Sequence, residues 1–287
     1  MKNETPIIKN VSDTALWVAY YRSLETDRPN SLFKDPMAKI LVGERGQQIA
    51  DSLQETSTYT QFNVLIRTVI IDRYIQQLVE QGVDCVVNLG AGLDTRPYRL
   101  NLPANLKWIE VDFPNIIQLK EDKLSSEKPK CQLQRVSLDL SDRDARKKLF
   151  SDIGKNSRKV AILTEGVLPY LTEEQVAMLA EDLLIEKNFT YWIADYISAL
   201  VYKYLRSGKR AEKMKNAQFH FYPADWFGFF QTRGWDPKTI QYLPEEGKKL
   251  GRGMPVPSIM RFIGLFLSHE TKTKYMRTSG YMIMERK

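Results

Sequence analysis

The stretch VVNLGAGLDTRPYRL, Val86 to Leu100, joins a short apolar run to a glycine turn. Gly90 and Gly92 permit a tight turn and let a ligand approach the backbone closely. Such a turn after a buried strand is typical of nucleotide-binding α/β domains. A dinucleotide fingerprint would have a third glycine at position 95, where this chain has Thr95. The turn therefore indicates a ligand site without specifying the ligand.

Three acidic side chains stand where later strands are expected to end. Asp112 closes IEVD about 20 residues after Gly90, the spacing at which a carboxylate meets the two hydroxyls of a ribose. Asp139 in VSLDL is placed to accept a hydrogen bond from the exocyclic amine of adenine, with Leu140 packing on the base. Glu165 follows VAILT and would face the same crevice. A solvated or helix-capping carboxylate explains each one alone, whereas three around one glycine turn are more specific.

This acidic set argues against a ligand that carries phosphate. The chain has no GxxxxGKS/T loop, and no arginine or lysine stands at the strand ends that would face a pyrophosphate. S-adenosylmethionine contains a ribose, an adenine and a sulfonium cation but no phosphate, so it fits better. NAD(P) is the alternative, and it explains Thr95 and the acidic residues less well.

Strands alternate with helical stretches from residue 84 onward, which predicts an α/β fold with a doubly wound, mostly parallel sheet. The expected strands are DCVVNLG, LKWIEVDFP, CQLQRVSLDL, KVAILTEGVL and FTYWIADYIS, with DPKTIQYLP and SGYMIMERK as a closing pair. Before residue 84 the apolar spacing predicts helices at 12–25, 35–53 and 59–82.

The later helices carry their own local signals. Ser141 is a candidate N-cap for the helix after the third strand, and Thr172 with Gln175 predicts a capping box at the start of another. The stretch 199–217 is expected to be a helix rich in lysine and arginine, either a binding lid or a solvated surface, and 245–260 is expected to be a loop.

Composition places the chain among ordinary folded proteins. It has 287 residues, 43% hydrophobic and 27% charged, and its net charge of +7 is spread along the sequence, which only weakly supports an acidic or nucleic-acid partner. Cys85 and Cys131 form no metal or disulfide pattern, so we expect reduced core thiols and no metal. No signal segment or membrane span is found, so we expect a cytoplasmic protein without a membrane partner.

Several blocks of the sequence resemble one known family. They are VVNLGAGLDTRPYRL, IEVDFP, VSLDL and LTEGVLPYL, with SDTALWVAYYRSLE and FKDPMAKIL before them and ADWFGFFQTRGW after them. Together they resemble the leucine carboxyl methyltransferase family, including its bacterial S-adenosylmethionine-dependent O-methyltransferases of polyketide type. The resemblance extends from about residue 11 to the C-terminus, and NLGAGLDTR with EVDFP is its most specific part.

The resemblance implies a class I methyltransferase fold, which is Rossmann-like. Its sheet would have seven strands, mostly parallel, with one reversed strand near the end. Residues 1–82 would form an N-terminal helical cap packed on the core, and 83–287 would form the S-adenosylmethionine-binding core. A helical lid insertion at about 199–260 would follow the fifth strand, and all parts would make up a single structural domain.

The resemblance also implies roles for individual residues. Arg67 would reach the carboxylate of the methionine moiety, and Glu165 would lie near its amino group. Tyr170 matches a tyrosine close to the substrate carboxylate. Protein-methylating members have a lysine in the first helix that helps to bind the cofactor, whereas this chain offers Arg22, which argues against a protein C-terminus as the substrate. Tyr170, for positioning the substrate, and Arg22, for supplying a fixed positive charge, are the catalytic candidates. The full cofactor-binding set is Arg67, Gly90, Ala91, Gly92, Asp112, Asp139, Leu140 and Glu165.

The resulting hypothesis is methyl transfer from S-adenosylmethionine to an oxygen of a small molecule such as a polyketide-type metabolite, yielding S-adenosylhomocysteine. A carboxylate acceptor is favoured because it is already ionised at neutral pH, so orientation and exclusion of water suffice. A phenol or enol acceptor would instead need a base, for which the candidates are His220, Tyr20, Tyr21 and Tyr170.

Four other functions are open at this point. They are a protein C-terminal carboxyl methyltransferase, an RNA methyltransferase, an NAD(P)-dependent oxidoreductase and a cofactor-binding protein without activity. Nucleic acid is not an expected partner, because the chain has no RNA-binding module and no dedicated basic domain. The sequence makes no prediction of the oligomeric state.

Overall fold

A seven-stranded sheet forms the centre of the computed structural model, which describes residues 11–206, 216–256, 259, 262 and 266–287. Its strands are β1 (Cys85–Leu89), β2 (Lys107–Asp112), β3 (Gln132–Ser137), β4 (Val160–Thr164), β5 (Phe189–Ile197), β6 (Trp235–Tyr242) and β7 (Ser279–Arg286). Their order across the sheet is β3-β2-β1-β4-β5-β7-β6. Each of the seven strands expected from the sequence is present.

The strand directions make the sheet mostly parallel. Strands β1 to β5 pair in parallel, whereas β7 runs antiparallel to both β5 and β6. The expectation of one reversed strand near the end is therefore confirmed. From β1 the chain adds β2 and then β3 on one side, and it then returns to place β4 on the other side of β1, followed by β5. The direction of strand addition therefore reverses between β1 and β4. Ligands of open α/β sheets bind beyond the carboxyl ends of the strands at such a point.

Helices surround the sheet. Before β1 the chain forms α1 (Val11–Thr26), α2 (Pro36–Ser52) and α3 (Gln54–Glu80). Between β1 and β5 it forms α4 (Arg96–Arg99), α5 (Pro114–Lys123), α6 (Arg143–Asn156) and α7 (Glu173–Ile185). After β5 come α8 (Ala199–Leu205), α9 (Trp226–Gln231), α10 (Leu243–Lys249) and α11 (His269–Met276). None of the helices in the described part of the chain is long and apolar enough to cross a membrane.

Two of the predicted helix starts can be compared directly with the structure. The capping box of Thr172 and Gln175 is confirmed, with each side chain bonded to the backbone of the other residue. The prediction that Ser141 caps α6 is wrong, because Asp142 takes that position and accepts a hydrogen bond from the N–H of Ala145 at 3.0 Å. Serine and aspartate are both favoured at the N-cap, so the position of the first helical turn decides between them.

The stretch expected to be a loop, 245–260, is helical at its start. Pro244 lies in the first turn of α10, two glutamates follow it, and two lysines end the helix, all in the places that suit the helix dipole. The middle of the expected basic helix, 207–215, lies outside the described residues, and α8 is its first part.

Apolar layers on both sides hold the sheet in place. Strands β1 and β4 are buried along their whole length. On one side, Trp192 packs edge-on against Phe230 and Trp235, with ring centroids 5.4 Å away in each case. On the other side, α3 lays Ile70 and Tyr74 against the sheet. The site at the strand ends therefore rests on a rigid base.

Gly280 in β7 is a point where the sheet has no room for a side chain. A Cβ there would clash with the carbonyl oxygen of Gln241 and lie 3.1 Å from the Cα of Tyr242, both in β6. Because β7 is paired on both sides, we expect Gly280→Ala to lower the free energy of unfolding by about 1–3 kcal/mol in urea titrations. Gly253→Ala is the control, since nothing lies within 4 Å of a Cβ there. Equal stability of the two variants would contradict the β6–β7 register.

Candidate cofactor and acceptor site

A cavity of about 580 Å³ opens at the carboxyl ends of the parallel strands, beside the change of direction between β1 and β4. Its volume is typical of small-molecule sites. The walls come from α1, α3 and α8, from the turns after β1 to β4, and from β5 and β7. The structure places the whole predicted cofactor set along this one cavity: Arg67, Gly90, Ala91, Gly92, Asp112, Asp139, Leu140 and Glu165.

The glycine turn after β1 is held by the carboxylate of Asp112. The N–H of Gly92 donates to Oδ2 at 2.6 Å, and the N–H of Phe113 donates to Oδ1 at 2.7 Å. Gly90 and Gly92 have φ values of 66° and 49°, which glycine adopts without strain. Burial raises the pKa of Asp112, while the two N–H groups favour its ionised form. Asp112 thus joins the turn after β1 to the end of β2.

Arg96, the arginine of GAGLDTR, is buried among three carboxylates. Its Nε lies 2.7 Å from Asp72, and its Nη1 lies 2.8 Å from both Asp94 and Glu165. Only 2% of the side chain is exposed, so these carboxylates replace water. Burial by itself would lower the pKa of Arg96, but the carboxylates raise it well above its ordinary value. Its charge is therefore permanent.

The same charges reach the N-terminal helices. Arg22 of α1 lies 2.8 Å from Asp35, the N-cap of α2, and donates to the backbone carbonyl of Leu93. Thr95 donates its hydroxyl to Asp35 at 2.7 Å, and Arg99 lies 3.8 Å from the same carboxylate. Thr95, which stands where a dinucleotide motif has its third glycine, therefore connects the turn after β1 to the N-terminus of α2.

Arg67 of α3 is the member of this group of ion pairs that lines the cavity, and its Nε lies 2.9 Å from Glu165. Burial alone would raise the pKa of Glu165, but Arg96 and Arg67 outweigh it and hold that pKa below its ordinary value. Four arginines thus balance four carboxylates. We call these residues the arginine–carboxylate network: Arg22, Arg67, Arg96, Arg99, Asp35, Asp72, Asp94 and Glu165.

Three further carboxylates, those of Asp112, Asp139 and Asp195, line the cavity without an ion pair to any described residue. Asp195 of β5 is 4% exposed, and its Oδ1 has no hydrogen-bond partner among the described residues. Burial raises the pKa of Asp195 to about 7; Arg67 opposes the shift and Glu165 adds to it. With the network balanced, these three groups give the cavity an excess of acidic groups.

The other predicted site residues take different positions. Tyr170 lies in a short 3₁₀ turn after β4, lines the cavity, and packs edge-on against Phe219 with ring centroids 5.0 Å apart. Arg22 also lines the cavity, with its guanidinium directed at Asp35. Three of the alternative bases do not line the cavity: His220, which is exposed, Tyr20 and Tyr21.

Sequence reasoning missed Arg96, Asp94 and Asp195. Arg67 was expected in the site only through the resemblance, and Arg96 was not expected there at all, yet both reach the end of β4, from α3 and α4. Asp94 and Arg96 stand in the motif itself, but the chain does not show which distant carboxylates meet the guanidinium. Asp195 did leave a signal, because a single acid interrupts the apolar strand FTYWIADYIS and buried acids are rare.

Comparison with known families identifies the family of this chain. A model of the leucine carboxyl methyltransferase family matches residues 15–183, which is more than half of the sequence. The chain belongs to the leucine carboxyl methyltransferase family. The matched part of this family member contains β1 to β4, the glycine turn and every predicted cofactor residue. Strands β5 to β7 lie outside the match, and with them Asp195.

Curated relatives of this family member carry consistent names. Candidate S-adenosyl-L-methionine-dependent methyltransferases from Parafrankia sp. and Mycobacterium tuberculosis are 33% and 34% identical over 182 and 180 residues. A Streptomyces avermitilis protein of the same description is 30% identical over 174 residues. The alignments cover 58–60% of this chain. They span 62% of the Streptomyces protein and 58% of the other two, less than two thirds of the relatives' length.

Solved structures share the fold of this family member. A DUF574 family protein from Streptomyces avermitilis aligns with a TM-score of 0.58 and 14% identity, covering 96% of this chain and 97% of that one. A candidate methyltransferase from Thermobifida fusca aligns with a TM-score of 0.57 and 16% identity, covering 87% and 92%. Likeness at this identity concerns the fold alone, and it confirms the expected class I methyltransferase architecture.

Replacing Arg96 should strongly destabilise the folded protein. Arg96→Met keeps the approximate volume but leaves three carboxylates facing one another without their shared cation. We expect the free energy of unfolding, measured in urea, to fall by about 3–5 kcal/mol. Arg158→Ala is the control, because Arg158 pairs with Asp84 while its side chain is 89% exposed, and no measurable change is expected. A loss below about 1 kcal/mol for Arg96→Met would show that the network does not hold the fold together.

Asp195 should make stability fall as the pH rises. Its pKa of about 7 exceeds the ordinary 3.8, so between these pH values the folded protein keeps a proton that the unfolded chain has lost. The free energy of unfolding therefore decreases through this window and levels off above pH 7. Asp195→Asn cannot ionise, so we expect its Tm to exceed that of the wild type by roughly 4–8 °C at pH 8, and by less than about half as much at pH 5. A Tm difference that does not change with pH would contradict the burial of this acid.

Proposed function

We propose that this protein is an S-adenosylmethionine-dependent methyltransferase that methylates an oxygen of a small molecule. The observation that carries the proposal is the single cavity at the strand ends, where a glycine turn held by Asp112 faces the Arg67–Glu165 ion pair. Family membership and the names of the relatives support the same activity.

The residues along the cavity fit the parts of S-adenosylmethionine. The carboxylate of Asp112 is the acceptor for the ribose hydroxyls, and Asp139 with Leu140 suits the amine and the face of adenine. An ion pair such as Arg67–Glu165 is complementary to an amino acid, because the cation suits its carboxylate and the anion suits its ammonium group. Glycine at position 92 leaves room for close approach, since a Cβ there would already lie 3.3 Å from Ala15.

The charge balance separates this ligand from a nicotinamide dinucleotide. Arg22 and Arg67 are the only cations among the described residues that line the cavity, and each is already paired with a carboxylate. A pyrophosphate would therefore meet an excess of acidic groups without a free cation. A ligand with a sulfonium cation gains from the same surroundings.

The chain's own contribution to methyl transfer is positioning and exclusion of water. S-adenosylmethionine supplies an activated methyl group whose departure leaves a neutral thioether. Arg67 and Glu165 would fix its amino-acid part, while Asp112 fixes the ribose, so the methyl group points to one place in the cavity. The apolar wall that includes Tyr170 and Phe219 would hold the acceptor and keep water out.

Carboxylate and hydroxyl acceptors require different groups in the protein. A carboxylate needs no general base, but it brings a negative charge that some cation has to meet. A hydroxyl brings no charge, but it has to lose a proton. A protein C-terminal carboxylate, the acceptor suggested by the family's name, belongs to the first class.

Cofactor binding tests the proposal directly. We expect calorimetry to detect binding of S-adenosylhomocysteine to the wild type and no binding of NAD(H) or NADP(H). We expect Asp112→Ala to weaken that binding by about 1–3 kcal/mol, roughly 5- to 150-fold, because hydrogen bonds to a charged group are lost. Asp122→Asn is the control, since Asp122 lies on the exposed surface of α5 and, among the described residues, its carboxylate accepts a hydrogen bond from Gln118 alone.

Three results would count against this function. Binding of NAD(H) without S-adenosylhomocysteine would favour the oxidoreductase alternative. Unchanged affinity in Asp112→Ala would mean that the cofactor lies elsewhere. Binding of S-adenosylhomocysteine without methyl transfer to any acceptor would leave a cofactor-binding protein without activity.

A further inference from the structure

Asp195 lines the cavity, yet neither the sequence motifs nor the family match assigns it a role. It lies in β5 opposite Tyr281 of β7, and the side chains of both residues line the cavity. The matched family region ends at residue 183, before this strand begins. Its position in the site is therefore visible only in the folded structure.

The carboxyl group of Asp195 is placed to meet a ligand. It is 96% buried, it lines the cavity, and its Oδ1 has no hydrogen-bond partner among the described residues. Its other contacts come from backbone N–H groups of Asp195 itself and of Gly166. A buried polar atom without a partner is expensive unless something else supplies the partner.

The groups that face Asp195 come from three neighbouring elements. Arg67 approaches from α3, Glu165 from the end of β4, and Tyr281 from β7. The charge of Arg67 is already shared with Glu165, so it only partly favours an ionised Asp195. The result is an acid that changes its protonation state near neutral pH.

Asp195 also lies close to where the reacting group has to be. Arg67 and Glu165 would hold the two substituents on the α-carbon of the methionine part, and the sulfur is only two methylene groups further along that chain. Both residues act electrostatically on Asp195. With the cofactor held in this way, a base at this position would lie nearer to the methyl group than to the adenine end of the cavity.

The rest of the cavity favours an uncharged acceptor. Five carboxylates line it against two arginines, and both arginines are paired. Toward α8 the wall is apolar and aromatic, with Ile197, Val201 and Phe219. An acceptor carboxylate would find no free cation among the described lining residues, whereas a phenol or an enol on an apolar scaffold would bring no charge at all.

We propose that the acceptor is a neutral hydroxyl compound with a mainly apolar, ring-shaped scaffold, and that the carboxylate of Asp195 takes the hydroxyl proton during methyl transfer. The proposal rests on the proposed methyltransferase function and makes its acceptor specific.

The step balances in atoms and charge. The acceptor oxygen forms a bond to the methyl carbon as the sulfur–carbon bond breaks, and the electron pair of that bond stays on sulfur. The hydroxyl proton passes to Asp195, which afterwards releases it to solvent. The products are the methyl ether, S-adenosylhomocysteine and one proton.

The experiment uses the full chain, wild type and Asp195→Asn, with two probes that differ in one group. The probes are 2-naphthol and 2-naphthoic acid. Calorimetry at pH 8 measures the binding of S-adenosylhomocysteine alone and then of each probe to that complex. Mass spectrometry follows formation of 2-methoxynaphthalene from S-adenosylmethionine between pH 6 and pH 8.

The expected results separate the acceptor class from the role of Asp195. 2-Naphthol should bind at least about tenfold more tightly than 2-naphthoate, because the cavity has an excess of acidic groups. The wild-type rate should rise about tenfold from pH 6 to pH 8 as Asp195 ionises. In Asp195→Asn the rate should fall by about 10²- to 10⁴-fold and lose this rise, while affinity for S-adenosylhomocysteine stays within about twofold.

Each contrary result would overturn the acceptor class, the role of Asp195 or the proposed function. Tighter binding of 2-naphthoate, or no methylation of 2-naphthol by the wild type, would overturn the neutral hydroxyl acceptor. A wild-type rate and pH profile in Asp195→Asn, or a loss of affinity for S-adenosylhomocysteine above about tenfold, would overturn the role as base. If the wild type fails to bind S-adenosylhomocysteine, the proposed function itself fails. Asp122→Asn, on the exposed face of α5, is the control and should match the wild type throughout.

Discussion

The contact of Arg96 with three carboxylates is the interaction on which the geometry of the site depends. Asp72 comes from α3, Asp94 from the turn after β1, and Glu165 from the end of β4. Once one guanidinium is shared among these elements, none of them can shift without leaving a buried charge unpaired. Such a rearrangement costs several kcal/mol, far more than moving a surface ion pair.

That constraint extends outward to the helices before the sheet. Asp35 caps α2, pairs with Arg22 of α1 and accepts the hydroxyl of Thr95 in the turn after β1. Of these two helices, α1 also provides a wall of the cavity, with Ala15 close to Gly92. The N-terminal helices therefore do more than cover the sheet, because the charges that fix them also fix the turn that would carry the cofactor.

Much of the fold follows from local sequence, and much of the site does not. Alternating apolar strands, the capping box of Thr172 and the glycine turn each depend on neighbouring residues, so the chain reveals them. The partners of Arg96 lie up to about 70 residues away and are joined only by the fold. The predicted N-cap of α6 was also wrong. Ser141 and Asp142 are both favoured N-cap residues, and only the geometry of the turn selects Asp142.

Asp195 shows why burial has to be known before chemistry can be assigned. In the sequence it is one acid in an apolar strand, which a solvent-facing position would explain equally well. In the structure it is buried beside an ion pair that is already satisfied, and its Oδ1 has no partner among the described residues. An apolar residue or an asparagine would suit that place better if stability were the only requirement. A group that weakens the fold beside a cavity is a candidate for a role toward a ligand, and the acidic excess around Asp195 supports the proposed proton transfer from a neutral hydroxyl.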